Sequence, residues 1–480
     1  MEERIRKVLS LDYESRIMIM DRDCFGMQIY DYERLLTSSG FTVIRVKDHE
    51  WLRFIYESQI KGGDGKYAII YAPEQYIPYD IRKSFYQVEI SLSSLYPRLN
   101  QTVLGQYPFD IEAIDYSYDE YYGKSQDYSD TRVFIEQVAL SKQALNRYIR
   151  YAEAFLNRDA LNAASYEDWI GLARKNAAIS YYAATTGTYR EDAPLNQEFL
   201  KFLMDGYQKL SSITNRKAPS ILPKTWDLIA KDKTALIVMD GMSLFDFEVL
   251  RRNDWPYRHE YEGSFALIPT ITSVSRQSLI AGKYPSQLDN PFTLSREETE
   301  FYKAAEAHGF SKNKAYYGRG YDADPDPFAR LVTIIVNDID DMVHGQLQGR
   351  SGMLQEVTIL SKSRKLQTLI NRLIDRGFTV YITADHGNTE CTGIGSLKRT
   401  GVETETKSKR MIVLKDFGEA SEDLKQKTIQ FPGYYLNKNY QYYICKDKTS
   451  FDAKGKTVMT HGGMTVDEVI VPFIKITGEE

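Results

Sequence analysis

Up to about residue 105, short apolar runs alternate with amphipathic stretches. RIMIM ends at Asp21, YERLLTSSG ends at Gly40, and FTVIRV, the stretch around WLRFIYESQ and then YAIIYA follow. Apolar runs of about five residues between helix-length segments predict a small parallel α/β domain over 1–105. Segment 106–130 is dominated by Tyr and acidic residues (YPFDIEAIDYSYDEYYGKSQDYSD) and reads as a linker or packed connection. Across 131–230 the apolar spacing changes to steps of three and four in RVFIEQVALSKQALNRYIRYAEAFLN, YEDWIGLARKNAAISYYAA and NQEFLKFLMDGYQKL. That spacing predicts an antiparallel helical module, with Pro194 and Pro219 near helix boundaries.

From 231 to 480 short Val/Ile-rich runs return, each ending in polar residues. ALIVM ends at Asp240, SFALIP precedes Thr270 and Thr272, VTIIV precedes Asn337 and Asp338, and TVYIT precedes Asp385. Continuous β-branched runs predict strands buried on both faces, hence an α/β fold with a mainly parallel sheet flanked by helices. In such sheets ligands bind at the carboxyl edge of the strands, where these polar residues fall.

Composition changes this picture little. The chain is 42% hydrophobic and 26% charged, and 61 basic against 66 acidic residues leave a net charge of −5. A mildly acidic chain contacts nucleic acid only through a local basic groove. Lys398, Arg399, Lys407, Lys409 and Arg410 form one candidate, read either as an exposed charged loop or as a guide for a nucleic-acid backbone. Asp21 and Asp23 follow the first strand, where an acidic pair can hold Mg²⁺, but a solvated loop is the simpler reading. Cys24, Cys391 and Cys445 lack CxxC spacing and read as reduced structural thiols. MEERIRKVLSLDYESR has no signal-peptide pattern, and no apolar run approaches a membrane span, so a cytoplasmic protein without membrane contact is expected.

Three of the six histidines lie in the polar segments at the ends of the C-terminal runs, each beside glycine or an acidic residue. In ITADHG, Asp385 and His386 end a buried run, where an adjacent carboxylate and imidazole are costly unless something binds them. In DIDDMVHG, Asp340 and His344 are four apart, which on a helix puts both on one face toward a cation. Asp240, Thr272 in PTITSVSR, and His461 in THGGM complete the set. Each fragment alone is also compatible with a turn or a surface ion pair. Together, at strand ends and in this order, they read as a two-metal phosphoryl-transfer site.

On these segments the chain resembles the alkaline phosphatase superfamily, most closely the PglZ-type phosphodiesterase domain found in BREX phage-defence systems and attached to some response regulators. The resemblance covers roughly 234–476, and HGGMTVDEVIVP looks like the family's closing segment. It implies one ion held by Asp340, His344 and His461 and a second by Asp240, Thr272, Asp385 and His386, with Thr272 as nucleophile. Asp340 is preferred to Asp341 by its distance from His344. The implied cofactors are two divalent ions, Zn²⁺ first, with Mn²⁺ or Mg²⁺ as alternatives. Two such ions about 4 Å apart can bind both the attacking and leaving oxygens of an in-line displacement.

Threonine cannot become formylglycine, which sets sulfatases aside, and the stretch from Thr272 to Asp340 is too short for the large inserted domain of the related mutases. What remains is a phosphodiesterase acting on a nucleotide or nucleic-acid phosphodiester, with Arg276, Tyr317 and Arg319 as candidate substrate contacts. The alternatives are a phosphomonoesterase, or a metal-binding scaffold that docks defence-system proteins through residues 1–230.

Overall fold

The computed structural model describes residues 1–22, 25–396, 403–404, 408–415 and 419–479. Asp23, Cys24, Lys398, Arg399 and Lys407 lie outside them. The chain divides into two compact units, 1–148 and 149–480.

In the first unit the apolar runs form four parallel strands, β1 (Arg16–Asp21), β2 (Phe41–Arg45), β3 (Lys66–Tyr71) and β4 (Tyr86–Ile90), in the order β2-β3-β1-β4. β1 is central and carries Ile17 and Ile19 to one side of the sheet and Met18 to the other, each in a separate apolar core. The Tyr-rich segment carries the helix Ile111–Ser117 and buries Ile114, Tyr118 and Tyr121 in the first of these cores. Asp21 is also buried, with its carboxylate accepting from Tyr32 Oη at 3.0 Å and from the Gly26 amide.

The second unit is built on a six-stranded sheet. Its strands are β5 (Thr234–Met239), β6 (Tyr257–Phe265), β7 (Ala315–Arg319), β8 (Leu331–Val336), β9 (Thr379–Thr383) and, last in the chain, Ile470–Glu479. Two smaller sheets lie between β9 and that last strand in sequence: β10 (Thr389–Gly393) with β15 (Thr449–Ser450) and β16 (Thr457–Thr460), and β11 (Glu403–Thr404) with β12 (Met411–Lys415), β13 (Thr428–Phe431) and β14 (Tyr440–Cys445). The last strand is therefore β17, and the large sheet runs β6-β17-β9-β5-β8-β7. β7, β8, β5 and β9 pair in parallel and β17 alone runs against them, so the fold is mixed α/β with a mostly parallel sheet.

β5 and β8 are buried at every position, as their largely apolar, Leu-, Ile- and Val-rich content requires of central strands. Helices Tyr166–Thr186, Leu244–Arg251 and Gly349–Lys362 pack on one another and meet the sheet at β6 and β17. Helix Thr272–Ala281 packs on Glu297–Ala307, which lies against β7. The apolar stretch SFALIP is strand only as far as Phe265, beyond which the chain leaves the sheet toward Thr272. Helices of the 131–230 stretch fall on both sides of the division between units, and Tyr166–Thr186 belongs with the large sheet. Among the described residues no helix is long and apolar enough to cross a membrane.

One buried group on β6 makes the unit acid-sensitive. His259 packs among Phe247, Trp255 and Tyr261, and burial pushes its pKa down from 6.5 to about 4. Between those values the unfolded chain binds the extra proton, so stability falls as pH drops from 6.5 toward 4 and levels off below. The wild type is expected to lose about 2 kcal/mol from this group between pH 7 and pH 5. Urea midpoints at the two pH values check this, with His259→Gln expected to lack that share of the loss.

Candidate functional site

Three adjacent strands of the large sheet, β9, β5 and β8, bring their carboxyl ends together. The parallel ladder runs one step past β5, where the Asp240 amide donates to Val336 O at 2.8 Å. Gly241 then turns the chain at φ 74°. It sits so close to Asp340 that a Cβ there would lie 3.2 Å from Oδ1. The positive φ favours glycine, and an added Cβ would need Asp340 to give way by a few tenths of an ångström. Beyond β9, Asp385 Oδ1 accepts from the amides of Gly241 at 3.1 Å and His386 at 3.0 Å. Its other oxygen, Oδ2, is buried and meets no donor, and neither does Asp240 Oδ1. Burial first, and then the charge of Asp240, push the Asp385 carboxyl well above the usual carboxylate range.

Backbone carbonyls orient two of the imidazoles. His386 Nδ1–H donates to Gly387 O at 3.0 Å, which turns Nε2 toward Asp240 and Asp385, 3.7 Å from an oxygen of each. His461 Nδ1–H donates to Thr270 O at 3.0 Å, leaving Nε2 3.5 Å from Asp340 Oδ1. A carbonyl cannot donate, so both rings carry a proton on Nδ1 and turn Nε2 toward the carboxylates. Burial pushes His461 down to about 4, with the His386 ring adding to the effect, so the ring stays neutral. The two rings stack with centroids 4.1 Å apart.

Asp340 and His344 share one face of the helix Asp338–Gly345, with His344 Nε2 3.2 Å from Asp340 Oδ2. Burial raises the Asp340 carboxyl, but the hydrogen bond from His344 and the nearby His461 and His386 rings bring it well below the usual range. That same hydrogen bond raises His344. Asp341 is exposed.

Two triads result, Asp340 with His344 and His461, and Asp240 with Asp385 and His386, and within each the ligand atoms lie within 4.8 Å of one another. Thr272 opens the helix Thr272–Ala281, and its Oγ1 is 3.0 Å from His386 Nε2. An oxygen there faces the positive end of the helix dipole, which favours a negative charge on it. The donors fit two divalent cations, because three buried carboxylate oxygens lack a donor (Asp240 Oδ1, Asp385 Oδ2 and Asp340 Oδ1) and the imidazole Nε2 atoms lie against them.

Residues 224–476 match the family model described as the BREX system PglZ alkaline phosphatase-like domain. The chain belongs to the PglZ family. No curated protein matches it in sequence. Among solved structures it is similar to murine ectonucleotide pyrophosphatase/phosphodiesterase 5, at 12% identity over 50% of this chain and 87% of that one, with a TM-score of 0.33. Phosphonoacetate hydrolase from Sinorhizobium meliloti, in complex with phosphonoformate, is 11% identical over 51% of this chain and 90% of that one, with a TM-score of 0.31.

The PglZ domain contains every residue of both triads, but it treats the three expected substrate contacts differently. Arg276 is 2% exposed. It donates from Nη1 to Asp240 Oδ2 and from Nε to Glu297 Oε2 at 2.8 Å, so two edges of its guanidinium are occupied by carboxylates. Tyr317 Oη and Arg319 Nη2 both donate to Glu297 Oε1, the latter at 2.8 Å, and only the Arg319 side chain remains about half exposed, at 48%. Glu297 went unnoticed in the sequence because it reads as an ordinary acidic residue at the start of a helix.

Arg410, counted with a basic loop, is fully buried and pairs with Glu468, Nη2 donating to Oε2 at 3.0 Å. Glu468 also accepts from the amides of Gly463 at 2.8 Å and Thr465 at 3.1 Å, which folds the loop that carries His461. The TVDE capping box was the sequence signal for it. Lys409, the other described member of that loop, pairs with Asp452. Cys391 and Cys445 are buried thiols, each pushed up to about 12 by burial.

Gly387 follows His386, and a Cβ on it would overlap the Asp467 backbone carbonyl oxygen, which cannot move aside as a side chain can. Gly387→Ala is therefore expected to destabilise the PglZ domain by about 1–3 kcal/mol, the usual cost of overpacking. Thermal or urea unfolding measures it, and a variant as stable as wild type would refute the contact.

Proposed function

We propose that this PglZ protein is a two-metal phosphodiesterase that cleaves a nucleotide or nucleic-acid phosphodiester through Thr272, in phage defence or signalling. The observation that carries the proposal is the pair of triads joined by the stacked His386 and His461 rings, with the Thr272 hydroxyl against one of them. Asp340, His344 and His461 offer two nitrogens and one oxygen, which suits Zn²⁺ or Mn²⁺. Asp240, Asp385 and His386, with Thr272, are richer in oxygen and also suit Mn²⁺ or Mg²⁺.

When bound, two divalent ions lower the pKa of a hydroxyl or water and neutralise charge on the transferring phosphoryl oxygens. Thr272 Oγ1 releases its proton to solvent and attacks phosphorus as the alkoxide, its charge favoured by the helix N-terminus, and the bond to the leaving alcohol breaks as that oxygen takes a proton from solvent. The alcohol departs with a proton, leaving a phosphothreonine. Water then attacks phosphorus from the opposite side, and the Thr272 oxygen leaves and recovers a proton. Residues 1–230, which include the 1–148 unit, are the part of the chain we assign to docking defence-system proteins.

Elemental analysis of protein loaded with Zn²⁺ or Mn²⁺ is expected to give two ions per chain, and bis-p-nitrophenyl phosphate should be hydrolysed faster than the monoester. EDTA should abolish turnover and added metal restore it. Thr272→Ala should lower kcat on the order of a thousandfold with the metal content of wild type. Equal turnover by Thr272→Ala would rule out the nucleophile; faster turnover of the monoester would favour a phosphomonoesterase.

A further inference from the structure

Behind the Asp240 triad the structure holds a chain of charged groups that is buried from Asp240 through Arg276 to Glu297 and reaches the surface at Arg319. Asp240 Oδ2 takes Arg276 Nη1, Arg276 Nε gives to Glu297 Oε2, and Glu297 Oε1 takes both Tyr317 Oη and Arg319 Nη2. Asp240, Arg276 and Glu297 are each 3% exposed or less. Asp240 Oδ1, the oxygen left over, is buried without a donor on the side of His386 and Asp385.

We propose that Arg276, clamped by Glu297, is a positioning residue that fixes the Asp240 carboxylate with Oδ1 aimed at the cation held by Asp240, Asp385 and His386. The inference rests on the two-ion reading above and deepens it.

Three features carry it. A carboxylate held at one oxygen by a fixed planar cation turns only by giving up that charge-assisted hydrogen bond, which favours one direction for its second oxygen. Arg276 is on the same helix as Thr272, one turn on, so the contact also ties the nucleophile's helix to the end of β5. Finally, Glu297 holds Arg276 from the side away from Asp240, so the guanidinium is fixed at both ends. A merely charge-neutralising Arg would need neither the Glu297 clamp nor the Tyr317 and Arg319 bonds that hold Glu297 in turn.

The alternative is opposite in sign. If Arg276 were only a countercharge competing with the cation for Asp240, its removal would tighten metal binding. The test is titration of metal-free full-length protein with Zn²⁺ against a chromophoric chelator, for wild type, Arg276→Gln and Glu297→Gln. Outer partners of metal ligands are worth about 10–100-fold in affinity. Both variants are expected to weaken one of the two ions by about that factor and leave the other unchanged. For Glu297→Gln the lost kcat should return as Zn²⁺ is raised, a recovery that a purely structural defect would not show.

Unchanged or tighter binding of both ions by the variants, with two ions in wild type, overturns the positioning role alone. Fewer than two ions in wild type overturns the two-ion reading and this inference with it. Should Arg276→Gln fail to fold, Glu297→Gln decides the matter, because it keeps the volume and an acceptor oxygen while removing the charge that clamps Arg276.

Discussion

Two buried carboxylates on neighbouring strands set the terms for this site. β5 and β9 pair in parallel, so Asp240 and Asp385, one and two residues beyond their ends, come together in a buried place. Two ionised carboxylates in such a place repel each other and each loses its hydration, a cost of several kcal/mol unless donors or cations replace what water supplied. The fold meets part of that demand. Two backbone amides serve Asp385 Oδ1 and one guanidinium serves Asp240 Oδ2. The two oxygens left without donors, beside the Nε2 of His386, define where positive charge belongs.

The imidazoles follow from the same constraint. A neutral ring is useful to a cation only if its lone pair points inward, and the backbone enforces this by taking the Nδ1 proton of His386 onto Gly387 O and that of His461 onto Thr270 O. Both acceptors are fixed in their turn. The Gly387 amide donates to Glu468 O at 2.9 Å, and Thr270 Oγ1 donates to Gly463 O at 3.0 Å. The His386 and His461 loops are thus cross-tied, which lets the rings stack and keeps the two triads adjacent.

Much of this was legible in the chain because strand ends are legible. Short apolar-rich runs mark β5, β8 and β9, and the sheet brings together polar residues that follow them, Asp240, Asp340 and Asp385. The helical spacing of Asp340 and His344 follows from the period of one turn, whereas the preference for Asp340 over Asp341 came from the spacing of the family it resembles. Roles that depend on a distant partner were not legible. Arg276 four residues after a threonine resembles a phosphate contact until Glu297, from another helix, is seen to close it in. Arg410 looked solvated because its neighbours in sequence are basic, whereas its partner Glu468 is in the closing segment. In the first unit the runs of β1, β2 and β3 were apparent, but β4, whose Tyr86 and Gln87 are exposed, carried too little apolar signal to be read as a strand.

Arg276 with Glu297 and Arg410 with Glu468 suggest a common design. Each is a buried Arg–Glu pair set directly behind a triad, the first touching Asp240 and the second folding the His461 loop. As sources of stability such pairs are weak, because desolvation consumes most of the attraction between the partners. Apolar side chains of equal volume would hold the core at least as well, but they could not direct a carboxylate oxygen or gather loop amides. An Arg–Glu pair does both, and each Glu offsets the charge of the buried Arg it holds. Buried ion pairs in these two positions are therefore better explained by the geometry they impose on the triads than by any contribution to folding.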